Sequence, residues 1–156
     1  MNWRIALEPV ARPFVHAWWR FARGLTLGVR AIVTDDQSRI LLVKHTYLPG
    51  WHLPGGGVER GEPTGLAVVR ELAEEAGVRA EAEPVLRSIH SNHVRFRGDH
   101  VLVYEVTAWS ECEPDNEGEI EEIAWFSRQD LPDDTSPATR RRIAEFCEGS
   151  VPDKDW

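Results

Sequence analysis

Cysteine is scarce in this sequence, and long apolar runs are absent from it. Cys112 and Cys147 are the only cysteines among 156 residues, and they lie far apart without a C-x-x-C pattern. Such usage is typical of unpaired thiols in a reducing compartment, so we expect a cytoplasmic protein. The sequence contains no apolar run of about 18 residues and no apolar signal core near its start, so it predicts neither a membrane span nor export.

Basic residues are also scarce, except at the start. Residues 1–30 carry five arginines and one acidic residue, whereas residues 31–156 carry 13 basic and 25 acidic residues. We therefore expect no stable nucleic acid binding by phosphate neutralisation. If the main body acts on phosphates, metal ions must bridge the like charges. The composition, with 42% apolar and 28% charged residues, is that of one globular domain.

Aromatic residues and arginines are concentrated in residues 9–23. After Pro13, Phe14 and Trp18 follow helical spacing, and arginines flank this apolar stripe. We predict that residues 1–24 form an amphipathic helical extension. Two interpretations stay open: an interfacial membrane helix, or a helix that packs on its own domain or on the partner in a homodimer. The short stripe favours packing, so we do not expect membrane contact.

The remaining chain alternates between strand and helix patterns. Apolar alternation predicts strands over five segments: 25–36, 39–45, 83–91, 99–109 and 123–127. We expect the first two strands to form a hairpin around a turn at Asp35–Ser38. One helix is predicted between Pro63 and Gly77, and a second over residues 136–149. Residues 150–156 are expected to be a loose tail.

The segment RELAEEAG, from Arg70 to Gly77, gathers three glutamates on a predicted helix. Glu71, Glu74 and Glu75 are spaced at i, i+3 and i+4, which makes them neighbours on the helix surface, where like charges repel. A divalent cation such as Mg²⁺ compensates this repulsion because it binds carboxylate oxygens. A solvated acidic helix face is the alternative, and the motif alone does not decide between the two.

Three glycines, Gly55, Gly56 and Gly57, precede the acidic helix. Glycine permits backbone conformations with positive φ and lets the chain approach a ligand closely. A peptide carbonyl there offers one more hard ligand for a cation. Glu62 and Arg70 frame the helix, and a guanidinium fixes the orientation of nearby carboxylates through paired hydrogen bonds.

Residues 56–78 read G-x5-E-x7-R-E-L-x-E-E-x-G-V, and this pattern closely resembles the signature box of the Nudix hydrolase family. Flanking segments extend the resemblance to residues 26–148. It implies an α/β fold, namely an α/β/α sandwich with a mixed β-sheet and a loop–helix–loop that carries the box, over a domain at residues 25–149. It also implies hydrolysis of a nucleoside diphosphate linked to another group.

The resemblance also implies roles for the box residues. Glu71, Glu74 and Glu75 are expected to be carboxylate ligands for Mg²⁺ or Mn²⁺, and the Gly56 carbonyl completes the set. Arg70 is expected to orient Glu71, which places Arg70, Glu71 and Glu74 among the catalytic residues.

The box does not identify the general base. The acidic stretch before Trp125 offers Glu119, which we expect to act as a further metal ligand or as the base. A solvated acidic loop is the alternative for this residue. Glu62 is implied to help hold the loop that leads into the helix.

Two further segments are candidates for substrate binding. Arg95 and Arg97 alternate around Phe96, so that the arginines can grip phosphate while the ring stacks on a base. Trp51 and His52 directly precede the glycine loop and are placed to line a pocket. An exposed turn and a packing role for Trp51 are the alternatives. The sequence thus predicts a small nucleotide-like substrate.

Two functions from different classes fit these observations. The first is metal-dependent hydrolysis of a phosphoanhydride bond in a small nucleoside-diphosphate-linked or similar diphosphate substrate. The second is a catalytically silent Nudix-fold module that binds a nucleotide and regulates a partner. A module freed from catalysis is expected to lose a metal carboxylate, and all three are present here. The sequence therefore favours the enzyme.

Overall fold

The computed structural model describes residues 24–115 and 118–156, and the predicted N-terminal extension lies outside them except for Gly24. The strands in these ranges are β1 Thr26–Val33, β2 Ile40–His45, β3 Trp51–His52, β4 Val78–Ala80, β5 Val85–Ser91, β6 Asp99–Val106, β7 Trp109–Glu111 and β8 Ile120–Phe126. The helices are α1 Thr64–Ala76 and α2 Pro137–Glu148, with a 3₁₀ turn at Arg128–Asp130. Neither α-helix is long and apolar enough to cross a membrane.

The strands form two three-stranded sheets and a two-stranded ribbon. The first sheet has the order β1-β6-β5, in which β1 runs parallel to β6 and β5 antiparallel to it. The second has the antiparallel order β3-β2-β8, and β4 pairs with β7 in the ribbon. The first sheet is therefore mixed, as expected for the predicted fold class.

Two apolar cores lie on opposite sides of the sheets, because alternate residues of each strand point in opposite directions. The core on the α1 side takes Val29 and Ala31 from β1 together with Leu72 from the helix. The core on the α2 side takes Ile32 from β1 together with Ile143 from α2. One helix thus covers each side, which gives the α/β/α sandwich that the sequence predicts.

The ends of both helices follow from local sequence. Helix α1 starts after Pro63 and ends at Gly77, whose left-handed φ of 61° allows its N–H to bond the Leu72 carbonyl. A side chain at position 77 would place its Cβ 2.6 Å from the Cys112 carbonyl oxygen, so the position requires glycine. Helix α2 starts at the predicted N-cap, Ser136, whose hydroxyl accepts the Thr139 N–H.

The predicted hairpin between β1 and β2 is wrong. The turn itself is present, because the Asp35 carboxylate accepts the N–H groups of Gln37 and Arg39. The two strands nevertheless belong to different sheets and share only one isolated bridge, Thr34 to Ile40. Both edges of β1 are occupied, one by β6 and the other by the loop at residues 54–58.

The C-terminal residues, predicted to be loose, lie instead along the free edge of β5. The Ser91 N–H donates to the Lys154 carbonyl at 2.7 Å, and the Trp156 N–H donates to the Ser91 carbonyl at 2.9 Å. The indole of Trp156 lies 5.6 Å from the buried Arg142 guanidinium, which donates to the Asp155 carbonyl. The tail is therefore part of the folded structure and covers a strand edge.

We expect Trp156→Ala to lower the free energy of unfolding by about 1–3 kcal/mol, because the change removes a partly buried indole from the α2 core. The matched control is Lys154→Ala, which removes an exposed side chain and keeps the backbone carbonyl that bonds Ser91. Urea unfolding at neutral pH measures both. Equal midpoints for the two variants would show that the tail contributes nothing to stability.

Candidate functional site

The loop at residues 54–58 is fixed to β1, an outer strand of the first sheet. Three backbone hydrogen bonds of 2.9 Å hold it along β1: Val29 N–H to the Gly56 carbonyl, Ala31 N–H to the Pro54 carbonyl, and Val58 N–H to the Leu27 carbonyl. The loop therefore behaves as an extra strand at the edge of β1. Groups on this loop are therefore held in a fixed position relative to the sheet.

Gly55 links this loop to the acidic helix. Its φ of 132° is a backbone conformation that residues with a side chain rarely adopt. An added Cβ would also lie 2.3 Å from the Val29 carbonyl oxygen. Its N–H donates to Glu75 Oε2 at 2.7 Å. The glycine is therefore required for close packing on β1, and this packing presents a donor to a buried carboxylate.

Gly56 makes room for the second carboxylate. A Cβ at this position would lie 2.5 Å from each carboxylate oxygen of Glu71. The Gly56 carbonyl already accepts the Val29 N–H, which leaves one lone pair for another ligand. The structure thus brings Gly56, Glu71 and Glu75 to the same loop, in accordance with the sequence-based prediction of their proximity.

Arg70 braces the exposed side of the site through five hydrogen bonds. Its Nη1 donates to Glu71 at 2.9 Å and to Glu74 at 3.1 Å, and its Nη2 donates to the Gly57 carbonyl at 3.0 Å. Nε and Nη2 also donate to the two oxygens of Glu62. These bonds lower the pKa of the Glu62 carboxyl below its usual value. Arg70 is thus placed to orient Glu71, while Glu62 holds Arg70.

The two carboxylates at the glycine loop are desolvated. Burial raises the pKa of Glu75 to about 7, although the Gly55 N–H and the positive charge of Arg30 favour its ionised form. Burial also raises the pKa of Glu71 above its ordinary value, against the opposing effect of Arg70. The negative charge of Glu71 adds to the raised pKa of Glu75, and the negative charge of Glu74 adds to that of Glu71. The site holds more negative charge than its own cations stabilise.

His45 lies beside Glu75 and was missed by sequence analysis. Its ring is 3% exposed, and its Nδ1 lies 3.8 Å from Glu75 Oε1. Neither ring nitrogen has a hydrogen-bond partner in the part of the chain that the structure describes. Burial lowers its pKa to about 4, helped by the positive charge of Arg30, so the imidazole is neutral near pH 7. A polar residue at the end of the apolar strand β2 was the available signal.

Arg30 was missed as well. It is half-buried on β1, and its Nη1 is excluded from solvent without a partner among the described residues. Burial lowers its pKa, while the negative charges of Glu75 and Glu71 oppose this shift. A lone arginine inside the apolar strand LGVRAIV was the signal that sequence analysis did not use.

Glu119 lies at the rim of this site, directly before β8. Its side chain is exposed, and its carbonyl accepts the Thr46 N–H at 2.9 Å. Its negative charge contributes to the raised pKa of Glu75 and, after burial, to that of Tyr47. The structure therefore brings Glu119 within electrostatic range of the buried carboxylates.

The predicted substrate-binding residues divide into three groups. Trp51 is 5% exposed and packs edge-to-face on Phe126 in the α2 core, which corrects the prediction that it lines a pocket. His52 is half-buried, and its Nε2 bonds the Pro49 carbonyl at 3.0 Å. Arg95, Phe96 and Arg97 are exposed in the turn between β5 and β6.

The donor chemistry of the site fits a hard divalent cation. Glu71, Glu75 and the Gly56 carbonyl offer oxygen ligands, and the raised carboxyl pKa values show that added positive charge would be favourable. Glu74 shares the Nη1 donor of Arg70 with Glu71, but its side chain is more exposed, at 45%. In residues 24–115 and 118–156, no three carboxylate, imidazole or thiol groups are placed together to hold a metal.

Comparison with known proteins places this geometry in context. A family model described as the NUDIX domain matches residues 24–146. The chain is 31% identical over 125 residues to a Bacillus subtilis protein named "Putative 8-oxo-dGTP diphosphatase", covering 80% of this chain and 82% of that protein. It is 34% identical over 98 residues to a Bos taurus diphosphoinositol polyphosphate phosphohydrolase 3-beta, covering 62% of this chain and 60% of that protein.

A solved structure shares both sequence and fold with the chain. The crystal structure of a MutT NUDIX hydrolase from Burkholderia pseudomallei superposes with a TM-score of 0.64 at 34% sequence identity. The match covers 76% of this chain and 94% of that one. The overall fold is thus shared with a Nudix hydrolase of known structure.

We expect Gly55→Ala to lower the free energy of unfolding by more than about 2 kcal/mol, because the new Cβ meets the Val29 backbone and the φ of 132° is strained for alanine. Gly56→Ala is the matched control, since its Cβ meets only the movable end of Glu71. We expect this second change to alter stability by less than about 1 kcal/mol. Thermal unfolding measures both, and equal losses would contradict the proposed packing.

The raised pKa of Glu75 predicts a pH dependence of stability in the absence of divalent cations. Its folded pKa of about 7 lies above its ordinary value of 4.5, so the folded protein binds the proton more tightly than the unfolded chain between these values. Stability therefore falls as the pH rises through this window. We expect the wild type to lose about 2–3 kcal/mol relative to Glu75→Gln between pH 5 and pH 8.

Urea unfolding of both proteins in the presence of EDTA measures this difference. The low pKa of His45, about 4, gives a slope of opposite sign, because its neutral form is favoured in the folded state. That slope is present in both proteins and cancels in the comparison. Parallel pH profiles for the two proteins would show that Glu75 titrates normally.

Proposed function

Because the chain belongs to the Nudix hydrolase family, we propose that it hydrolyses a phosphoanhydride bond in a small nucleoside-diphosphate-linked or similar diphosphate substrate, with Mg²⁺ or Mn²⁺ as cofactor. The observation that carries this proposal is the pair of desolvated carboxylates, Glu71 and Glu75, at the glycine loop. A diphosphate is anionic, and two buried glutamates would repel it without a cation between them. An acidic site can bind an anionic substrate only if a cation lies between them and offsets their repulsion.

The chain's own residues have distinct parts in this reaction. Glu71, Glu75 and the Gly56 carbonyl hold the cation, while Arg70 fixes the orientation of Glu71. When bound, the cation offsets the repulsion between the diphosphate and the attacking water and stabilises the leaving phosphate. Glu74, one hydrogen bond away from Arg70, is a further proposed ligand.

Residues around the rim complete the proposal. Glu119 is the proposed general base or an additional ligand, because its charge acts on Glu75 from the loop before β8. His52, Arg95, Phe96 and Arg97 are the proposed substrate-binding residues. Exposed arginines and an exposed aromatic ring suit a nucleotide, whose phosphates and base they contact.

The relatives indicate which substrates to test first. One relative's name specifies an oxidised purine nucleoside triphosphate, and the other's specifies diphosphoinositol polyphosphates. Both are small, strongly anionic molecules with a phosphoanhydride bond. A panel with these two classes, nucleotide sugars, dinucleotides and coenzymes, assayed for phosphate or pyrophosphate release with and without Mg²⁺, tests the proposal.

The remaining proposals concern the location of the protein, its domain bounds and its partners. Cys112 and Cys147 are both unpaired, which supports a reducing, cytoplasmic location. We also infer that the functional domain spans residues 25–149, that stable nucleic acid binding is absent, and that a homodimer forms if residues 9–23 pack on a partner. Release of no product from any substrate, together with nucleotide binding, would instead indicate the silent regulatory module.

We expect Glu71→Gln and Glu75→Gln each to leave the fold intact and to lower turnover at least ~10²-fold, the lower end of what a positioned catalytic group contributes. Each change keeps the side-chain shape and removes the charge that binds the cation. The matched control is Glu83→Gln, an exposed glutamate before β5. Steady-state kinetics with the best substrate of the panel measures the effect, and near-normal turnover in both variants would exclude these residues from the reaction.

A further inference from the structure

One cationic group at the site has no hydrogen-bond partner. The Nη1 of Arg30 is excluded from solvent and unpartnered among residues 24–115 and 118–156. A buried donor left unsatisfied is destabilising, and such groups in folded proteins are usually explained by a ligand or an ordered water. This donor therefore calls for an acceptor that the described residues do not supply.

The backbone places Arg30 directly behind the carboxylate loop. A Cβ on Gly55 would lie 3.0 Å from the Arg30 Cα, and the Gly55 N–H bonds Glu75. Arg30 also lies between two paired segments, because β1 bonds β6 on one side and residues 54–58 on the other. Its side chain thus starts from one of the most firmly held positions at the site.

Arg30 does not serve as a direct counter-charge to the glutamates. Arg70 shows what such a role involves, because it donates hydrogen bonds to Glu71 and Glu74 at 2.9 and 3.1 Å. Arg30 interacts with the charges of Glu71 and Glu75 but forms no ion pair or hydrogen bond with either carboxylate. Its guanidinium is therefore within electrostatic range of the acids without being bonded to them.

Two further basic side chains, those of His52 and Arg95, are close enough to Arg30 to interact with it electrostatically. The pKa of His52 is lowered by burial and also by the positive charges of Arg30 and Arg95, so these three residues are within electrostatic range of one another. His52 comes from β3 and Arg95 from the turn between β5 and β6. Three separate elements therefore bring basic groups together next to the acidic loop.

We propose that the guanidinium of Arg30 binds a non-bridging phosphoryl oxygen of the substrate, with His52 and Arg95 as neighbouring basic groups. This inference rests on the proposed function, since it names a binding residue for that same site. The acidic residues hold the diphosphate indirectly, through the cation, whereas Arg30 contacts it directly. The planar guanidinium suits this task because its donors match the geometry of phosphate oxygens.

The test uses methylenediphosphonate, a diphosphate analogue that is not hydrolysed, as the probe. Isothermal titration calorimetry in Mg²⁺ measures its affinity for the wild type, Arg30→Met and Arg30→Gln. The matched control is Arg79→Met, which removes an exposed arginine from β4. A second titration with Mg²⁺ alone measures cation binding by each protein, and thermal unfolding verifies that each variant is folded.

We expect both Arg30 variants to bind the probe at least about tenfold more weakly than the wild type, as loss of a charged hydrogen bond requires. We expect Arg79→Met to bind it normally. Mg²⁺ affinity should be unchanged or higher in the Arg30 variants, because a positive charge next to the carboxylates is gone. Unchanged probe affinity, or an equal loss of Mg²⁺ affinity, would overturn the proposal.

A crystal of the wild type with the probe and Mg²⁺ decides the question even if both variants fail to fold. A phosphonate oxygen within about 3.2 Å of a guanidinium nitrogen of Arg30 is expected, and a probe bound away from Arg30 overturns the proposal. If the variants bind the probe normally while Glu71→Gln loses hydrolysis, only the role of Arg30 fails. If the wild type neither binds the probe nor hydrolyses any substrate of the panel, the proposed function fails with it.

Discussion

The hydrogen bond from the Gly55 N–H to the Glu75 carboxylate connects the two parts of the molecule on which the site depends. On one side, Gly55 belongs to a loop bonded along β1, an outer strand of the first sheet. On the other, Glu75 belongs to the last turn of α1, whose apolar face forms the core with the same strand. The carboxylate is therefore buried at the junction of helix, loop and sheet. Its position is set by the packing of the whole domain and not by the helix alone.

Burial at this junction has an electrostatic consequence. A carboxylate that is removed from water is less easily ionised, and this effect raises the pKa of both Glu71 and Glu75, while the charge of a neighbouring glutamate adds to each shift. Arg70 relieves the exposed side, where it bonds three glutamates, whereas on the buried side the charge of Arg30 acts on the carboxylates without a hydrogen bond to them. The folded protein thus carries a concentration of negative charge that a bound divalent cation would relieve. The proposed affinity for a cation and the predicted loss of stability without one would therefore have the same cause.

Features set by neighbouring residues were predictable from the sequence, and features set by distant ones were not. Helix α1 lies between Pro63 and Gly77, and helix α2 begins after Ser136. These limits could be predicted because capping residues act within one helical turn. The hairpin prediction failed because the partner of β1 is β6, a strand about 70 residues later whose pairing no local pattern reveals. Arg30 and His45 escaped notice for the same reason, since their significance comes from burial beside a helix far along the chain.

Trp51 illustrates a different limit of sequence reasoning. An aromatic residue before a glycine loop suits either a ligand pocket or a core, and only the direction of the side chain decides. In β3, alternation sends Trp51 into the α2 core and leaves its neighbour His52 on the side of Arg30.

The division between residues placed by local sequence and residues placed by the fold corresponds to a proposed division between the reaction and substrate selectivity. The proposed cation ligands lie on one helix and one loop, and their spacing was readable from the sequence. The residues proposed to face the rest of the substrate come from β1, β3 and the turn between β5 and β6, which only the fold brings together. On this proposal, substrate choice depends on residues outside the box, so that proteins with identical boxes are expected to differ in substrate when these three elements differ.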